Sequence, residues 1–180
     1  MGRIAQAVHR RLEPFGFSFV AHDPHCSDAV FESSGIERVP ITELARRSHP
    51  ISLHAPSTPE THHVVGIAFL AQVQPDAVLV NTARGPLVYE GALANALREG
   101  RLGGAALDVF EVEPLPADSP LRGAPNLLLS PHAAFYDEDS LTRLQVLASE
   151  KRAERFAATA FGAASHDVVQ VQSTYGGEPS

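Results

Sequence analysis

The chain contains a single cysteine, Cys26, among its 180 residues, which excludes an internal disulfide and any zinc site built from several cysteines. Basic residues are also few. Fourteen lysines and arginines stand against 21 aspartates and glutamates, for a formal net charge of −7 at pH 7. Such a chain is a poor candidate for binding nucleic acid or an anionic membrane through bulk charge. The lack of disulfides indicates a reducing compartment, and we expect the protein in the cytoplasm.

Long apolar runs are absent as well. A membrane helix needs ~20 apolar residues, whereas the best stretch, residues 64–73, is interrupted by Gly66 and Gln72. The N-terminal residues contain no apolar segment typical of a signal peptide. Hydrophobic residues make up 44% of the chain, which suffices for one globular domain with its own core.

Apolar periodicity predicts alternating helices and strands. Helices are predicted at residues 2–12, 41–47, 60–73, 89–99 and about 137–161, and strands at 17–21, 51–54, 77–81, 104–110 and 126–130. The unbroken apolar run 77–81 predicts a strand buried on both faces. This alternation predicts a parallel α/β sheet with its sites at the carboxyl ends of the strands. We expect the glycine- and serine-rich tail from Gly162 onward to be loose.

The first helix and the first strand together carry half of a dinucleotide-binding motif. Gly2 opens the helix, and Asp23 follows 21 residues later at a strand end. In such motifs a glycine admits the pyrophosphate to the helix N-terminus, and the acid binds ribose hydroxyls. Asp23 would also repel a 2′-phosphate, which favours NAD over NADP. The alternative is an ordinary helix start followed by a turn aspartate.

Three further polar residues follow predicted strands. Arg84 could offer its planar donor fork to a substrate carboxylate, or be an ordinary surface arginine. Glu113 and His132 could form a pair, because a nearby carboxylate raises the pKa of a histidine and keeps it able to donate a proton. The alternative is a structural or surface histidine.

Two other groups of histidines carry little functional signal. His22, His25 and Cys26 supply three ligands without a fourth and do not predict a metal site. His62 and His63 would point apart on the predicted helix, and we expect both to be solvated.

Several segments in order resemble the D-isomer-specific 2-hydroxyacid dehydrogenases over their NAD-binding domain: GRIAQAV with HDP, SLHAPSTPET, VLVNTARGPLV, GRLGGAALDVFEVEPLP and PLRGAPNLLLSPHAA. The resemblance runs from Gly2 to about Phe161. It implies a Rossmann-type doubly wound parallel sheet lacking its first strand, an NAD-binding domain over residues 1–134, and a C-terminal helix and flexible tail over residues 135–180. The segment PHAAFY also resembles the C-terminal-binding-protein corepressors, which implies an NAD-sensing binding module as the alternative.

The resemblance implies a role for each matching residue. Arg84 would bind the carboxylate and carbonyl of the substrate, His132 would be the general acid/base, and Glu113, rather than Glu111, would pair with that histidine. The implied cofactor residues are Gly2, Arg3, Ile4, Asp23, His54, Ala55, Pro56, Thr82, Ala83 and Asp108, the last holding the nicotinamide carboxamide. The implied reaction transfers a hydride between NAD and a D-2-hydroxy acid or 2-oxoacid, without a metal.

The chain departs from the family pattern at several positions. Tyr89 stands where an aspartate usually caps a helix, and losing a cap costs on the order of 1 kcal/mol. The chain also starts inside the glycine turn, whereas the family's chains begin with a substrate-binding segment. We therefore expect a truncated or wrongly started reading of a longer enzyme, active in its full-length form as a homodimer, or else an inert fragment. The expected partner is a small 2-hydroxy acid or 2-oxoacid, with no nucleic acid and no membrane.

Overall fold

The computed structural model describes residues 1–160, and the side chains of residues 1–152. It divides into two compact units, Met1–Ala134 and Phe135–Ser180. In the second unit the described element is one long helix, which begins after Asp137; the Asp137 carboxylate accepts a hydrogen bond from the Ser140 N–H at 3.0 Å. Phe161, the predicted end of this helix, and the predicted loose tail lie outside the described residues. None of the described helices is long and apolar enough to cross a membrane.

The first unit alternates strands and helices. Its helices are α1 (Arg3–Leu12), α2 (Asp28–Ser34), α3 (Ile41–Arg47), α4 (Ile67–Leu70) and α5 (Glu90–Arg98), and the long helix of the second unit is α6 (Glu138–Ala160). The strands are β1 (Val20–Ala21), β2 (Glu37–Arg38), β3 (Pro50–Leu53), β4 (Val78–Asn81), β5 (Gly104–Leu107) and β6 (Leu127–Leu129). Short 3₁₀ turns occupy Glu13–Phe15, Gly85–Leu87 and Pro120–Gly123.

The strand pairs of this first unit are all parallel, and they form two sheets. β1 pairs with β2, while β3, β4, β5 and β6 form a four-stranded sheet in that order. The register of the larger sheet places four residues in one row, namely Leu53, Asn81, Leu107 and Leu129. Each of these is the last residue of its strand. The loops that leave the four strands therefore start side by side along one edge, with adjacent strands ~4.8 Å apart.

The core lies on one face of the larger sheet. Ile51, Leu79 and Ala105 form a buried row on that face, and α5 packs into the same cluster through Leu93 and Leu97, which are 0% and 3% exposed. The predicted burial of the 77–81 strand on both faces is wrong. Val78, on the face of β4 opposite to Leu79, is 42% exposed in this structure.

The predicted helix over residues 60–73 is also wrong for most of its length, since only Ile67–Leu70 is helical. The preceding segment bonds to a neighbouring stretch of chain instead. His63 donates its N–H to the Pro86 carbonyl at 2.8 Å, and Val65 forms an isolated parallel bridge with Val88. This tertiary pairing competes with helical bonds, and it leaves His63 at a φ of 53°.

Gly85 is the glycine on which packing depends most directly. A Cβ built at this position would overlap the backbone of Phe110 and Glu111. The turn after β4 and the loop after β5 therefore touch backbone to backbone, which only glycine allows.

We expect Gly85→Ala to lower the free energy of unfolding by roughly 1–3 kcal/mol or more, because an added methyl group must push two loops apart. Gly123→Ala is the matched control, since a Cβ at Gly123 meets nothing within 4 Å. Urea denaturation of the three proteins measures the difference. Equal midpoints for Gly85→Ala and Gly123→Ala would contradict the packing described here.

Candidate active site

The carboxyl edge of the larger sheet collects most of the residues expected to be functional. His54 follows β3, Arg84 follows β4, Asp108 and Glu113 follow β5, and His132 follows β6. Because the four strands end in register, these loops leave the sheet as neighbours.

Glu113 and His132 are brought together directly. The Nδ1 atom of His132 lies 2.8 Å from Oε2 of Glu113, and Oε1 of the same carboxylate accepts the Phe110 N–H at 3.0 Å. The hydrogen bond from His132, followed by that from Phe110, lowers the pKa of Glu113. An ionised Glu113 accepts a proton donor, so Nδ1 of His132 carries a hydrogen and the ring orientation is fixed.

Asp108 holds the loop on which His132 lies. Its Oδ1 accepts hydrogen bonds from Ser130 Oγ at 2.5 Å and from the Ala133 N–H at 2.8 Å, and its Oδ2 accepts the Ala134 N–H at 2.9 Å. Asp108 is only 3% exposed. His132 has a φ of 54°, a conformation that non-glycine residues adopt rarely and that needs support from its surroundings. The three bonds to Asp108 provide that support.

The charge state of Asp108 follows from two opposing effects. Burial alone would raise the pKa of Asp108, but the hydrogen bonds from Ser130, Ala134 and Ala133 and the charge of His132 outweigh it, and the pKa lies below its ordinary value. The residue is therefore an anion at neutral pH, one residue beyond the end of β5.

Arg84 is presented by a turn that Asn81 shapes. The side chain of Asn81 is fully buried, accepts the Ala83 N–H at 3.0 Å and donates to the Arg84 carbonyl at 2.9 Å. Arg84 itself is exposed, and its guanidinium donates to the Ala83 carbonyl at 2.5 Å. Thr82 and Ala83 lie in this turn. Arg84 thus lies at the same edge of the sheet as the Glu113–His132 pair.

The other residues expected to bind the cofactor lie at the start of α1 and after β1 and β3. Gly2 is the N-cap of α1, and Arg3 and Ile4 form its exposed first turn. Asp23 accepts the N–H groups of His25 and Cys26 at 3.0 Å each, and its second oxygen contacts the amino group of Met1. The carboxylate therefore lies next to the N-terminus of α1.

After β3, the chain continues through His54, Ala55 and Pro56. The ring of His54 bonds to the Ser52 hydroxyl at 3.0 Å, and burial lowers the pKa of His54. The Pro56 carbonyl accepts the Thr61 hydroxyl at 2.7 Å. This loop is therefore ordered by its own side chains.

A second histidine–glutamate pair lies beside the first and was not expected. Nε2 of His63 bonds to the Glu111 carboxylate, so the expectation that His62 and His63 point apart on a helix is wrong. Their rings lie 3.8 Å apart, and the His63 ring also stacks on Tyr89 at 4.9 Å. No short-range signal announces this pair, because its members are 48 residues apart in the sequence.

Glu90 is a further residue that sequence reasoning missed. It is 8% exposed, and its carboxylate accepts the Glu111 N–H at 2.7 Å. Burial, with a contribution from the charge of Glu111, raises the pKa of Glu90. As to metals, the part of the chain that the structure describes holds no group of three histidine, cysteine or acidic side chains able to bind an ion.

Comparison with known proteins decides the family. Residues 1–134 match the family model for the D-isomer specific 2-hydroxyacid dehydrogenase, NAD binding domain. The chain belongs to this family. The predicted family and its Rossmann-type α/β fold are therefore confirmed, as is NAD as the cofactor of the domain.

Individual members of the 2-hydroxyacid dehydrogenase family are similar over most of this chain. A glyoxylate reductase of Korarchaeum cryptofilum is 41% identical over 150 residues, covering 83% of this chain and 45% of that protein. A D-3-phosphoglycerate dehydrogenase of Methanocaldococcus jannaschii is 41% identical over 152 residues, covering 84% and 29%. The structure of an Aquifex aeolicus D-lactate dehydrogenase, complexed with NAD and lactic acid, superposes with a TM-score of 0.76 at 30% identity, covering 89% and 51%. The chain thus spans about half or less of the length of these relatives.

The geometry at α1 fits a dinucleotide. A Cβ at Gly2 would meet nothing within 4 Å, so the N-terminus of the helix is open to an approaching group. The first turn carries no acidic residue that would oppose a pyrophosphate. Asp23 lies beside the N-terminus of α1, and in dinucleotide-binding motifs an acid near this position accepts the ribose hydroxyls.

We expect Asp108→Asn to lower the free energy of unfolding by about 1–3 kcal/mol, because one of three donors loses its acceptor. The lowered pKa of Asp108 adds a pH dependence. Its stabilising contribution is fully present above the ordinary aspartate pKa of about 3.9 and is lost as the pH falls through the lower folded value. Thermal melts between neutral and acid pH measure both effects, with the exposed Asp118→Asn as control. An acid limb equally steep in Asp108→Asn and wild type would contradict this assignment.

We expect Glu90→Gln to change the free energy of unfolding in the opposite direction, so that it rises at neutral pH. The raised pKa of Glu90 means that the folded state favours the protonated carboxyl, and this advantage is lost as the pH rises. Glutamine stays neutral and keeps an acceptor for the Glu111 N–H, so we expect the variant to be more stable than wild type at pH 7 and equally stable in acid. Urea denaturation at several pH values checks this, with the exposed Glu32→Gln on α2 as control. A loss of stability at pH 7 specific to Glu90→Gln would refute it.

Proposed function

We propose that this chain forms the cofactor-binding and proton-transferring half of an NAD-dependent D-2-hydroxyacid dehydrogenase. The observation that carries the proposal is the 2.8 Å contact between Glu113 and His132 at the strand edge where Arg84 also emerges. An acid/base histidine, a carboxylate that orients it and a cation for the substrate are the groups that 2-oxoacid reduction requires.

His132 is the residue that transfers the proton in this proposal. Since Nδ1–H of the ring donates to Glu113, Nε2 is the atom that exchanges a proton with the substrate oxygen. When bound, NADH supplies a hydride, which brings both electrons to the carbonyl carbon. His132 protonates the carbonyl oxygen, the product is a 2-hydroxy acid, and Glu113 stabilises the imidazolium before the transfer.

Arg84 binds the substrate in this proposal. Its guanidinium is exposed on a turn that the buried Asn81 holds in place, and a planar fork of donors suits a carboxylate better than a point charge does. When the substrate carboxylate binds Arg84, the adjacent carbonyl group of the substrate would lie between the arginine and His132. The substrate class is therefore a small 2-oxoacid or the corresponding D-2-hydroxy acid.

The cofactor would lie along the same edge. Gly2, Arg3 and Ile4 would receive the pyrophosphate at the N-terminus of α1, and Asp23 would bind the adenosine ribose and disfavour NADP. Loop residues His54, Ala55, Pro56, Thr82 and Ala83 would line the bound dinucleotide. Asp108 has three donors already, so a bond to the nicotinamide amide would use the remaining lone pair of Oδ2. A homodimer and a cytoplasmic location belong to the same proposal.

We expect His132→Ala to lower kcat for NADH-dependent 2-oxoacid reduction by about 10²-fold or more, because general acid catalysis is lost. NADH affinity should be unchanged, since His132 serves the substrate. Calorimetry measures that affinity, because the chain has no tryptophan to report binding by fluorescence. The matched control is His49→Ala, at the opposite edge of the sheet before β3.

Turnover that persists in His132→Ala would overturn the proposed role. NADH binding without turnover of any 2-oxoacid by the wild-type protein would instead favour an NAD-sensing binding module. Absence of NADH binding would contradict the function as a whole.

A further inference from the structure

The second histidine–glutamate pair lies on the same loop as Glu113. Glu111 contacts Nε2 of His63 through its carboxylate, and its main-chain N–H donates to Glu90 at 2.7 Å. The residue is therefore held at both its side chain and its backbone. Glu113 follows two positions later and bonds to His132.

His63 is itself firmly placed. Its N–H bonds to the Pro86 carbonyl, and its ring lies between His62 at 3.8 Å and Tyr89 at 4.9 Å. Tyr89 is the residue that departs from the usual aspartate, and it precedes Glu90, the partner of the Glu111 main chain. One short stretch at the start of α5 thus supports both partners of the pair.

We propose that His63 is a positioning residue for His132, acting through Glu111. The proposed function underlies this inference, because it gives His132 its role in proton transfer. The Nε2–H of His63 donates to Glu111 and fixes the loop from Phe110 to Glu113. The fixed loop holds the Glu113 carboxylate where it accepts Nδ1–H of His132, which keeps the catalytic proton on Nε2.

The test is nitrogen NMR of the histidine rings in the protein without cofactor. Spectra are recorded at a pH above the end of the titration of the same signals, where the rings are neutral. The nitrogen shifts of His132 then report which ring nitrogen carries the hydrogen. We expect wild-type His132 to show one tautomer, with the hydrogen on Nδ1.

Two variants should remove this single-tautomer pattern. Glu111→Ala takes away the acceptor for His63, and His63→Asn takes away the Nε2 donor, which the shorter asparagine does not replace, while tolerating the positive φ of 53°. In both we expect His132 to shift towards a mixture of tautomers, as in Glu113→Ala, which defines the full effect. Glu111→Gln keeps a carbonyl acceptor and should restore the wild-type pattern.

A third histidine–carboxylate pair, elsewhere on the surface, provides the matched control. His49 and Asp76 lie 3.5 Å apart before β3 and β4, at the opposite edge of the sheet. Asp76→Ala should leave the His132 shifts unchanged. Thermal melts confirm that each variant is folded at the temperature of the spectra. If Glu111→Ala is unfolded there, His63→Asn decides, because asparagine keeps the backbone bond to Pro86.

Wild-type shifts for His132 in folded His63→Asn, or failure of Glu111→Gln to restore them, would overturn the positioning role. The spectra require neither NADH nor a 2-oxoacid. A protein without dehydrogenase activity could therefore still show the coupling, and an active enzyme could lack it, so the two proposals fail separately.

Discussion

The carboxylate of Asp108 is the interaction on which the site most depends. Asp108 directly follows β5, and its carboxylate accepts hydrogen bonds from Ser130, Ala133 and Ala134 after β6. Through them the backbone around His132 keeps a left-handed conformation, and the ring reaches Glu113. A buried anion is tolerated here because three hydrogen bonds from the loop that it orders, together with the charge of His132, offset its burial.

Four acidic residues near the site, Glu90, Asp108, Glu111 and Glu113, differ in their surroundings. Asp108 and Glu113 have lowered pKa values because donors surround them, whereas burial raises the pKa of Glu90. Glu111 is paired with His63. Such divergence within one cluster is typical of sites in which acids serve separate purposes. Here Asp108 orders the loop that carries His132, and Glu113 orients the His132 ring. Glu111 and Glu90 hold the chain around residue 111 in place.

The sequence predicted the parallel α/β architecture and the strand-end location of Arg84, Asp108, Glu113 and His132, because strand–helix alternation and strand-end polar residues are local signals. Prediction from the sequence failed where tertiary contacts determine the local structure. Residues 60–66 carry helix-compatible apolar spacing, but bonds to Pro86 and Leu87 turn them into an irregular segment. The His63–Glu111 pair depends on that segment and was missed for the same reason. The prediction that Val78 is buried was wrong, because the composition of a strand does not reveal which faces of its sheet are covered.

The most direct test of the central claim is a crystal structure of the protein with NAD and a non-reducible 2-oxoacid analogue. We expect the carboxylate of the analogue to bind the Arg84 guanidinium and its carbonyl oxygen to lie about 3 Å from Nε2 of His132. Arg84 and His132 facing different ligands, or an analogue bound away from the carboxyl edge of the sheet, would contradict it.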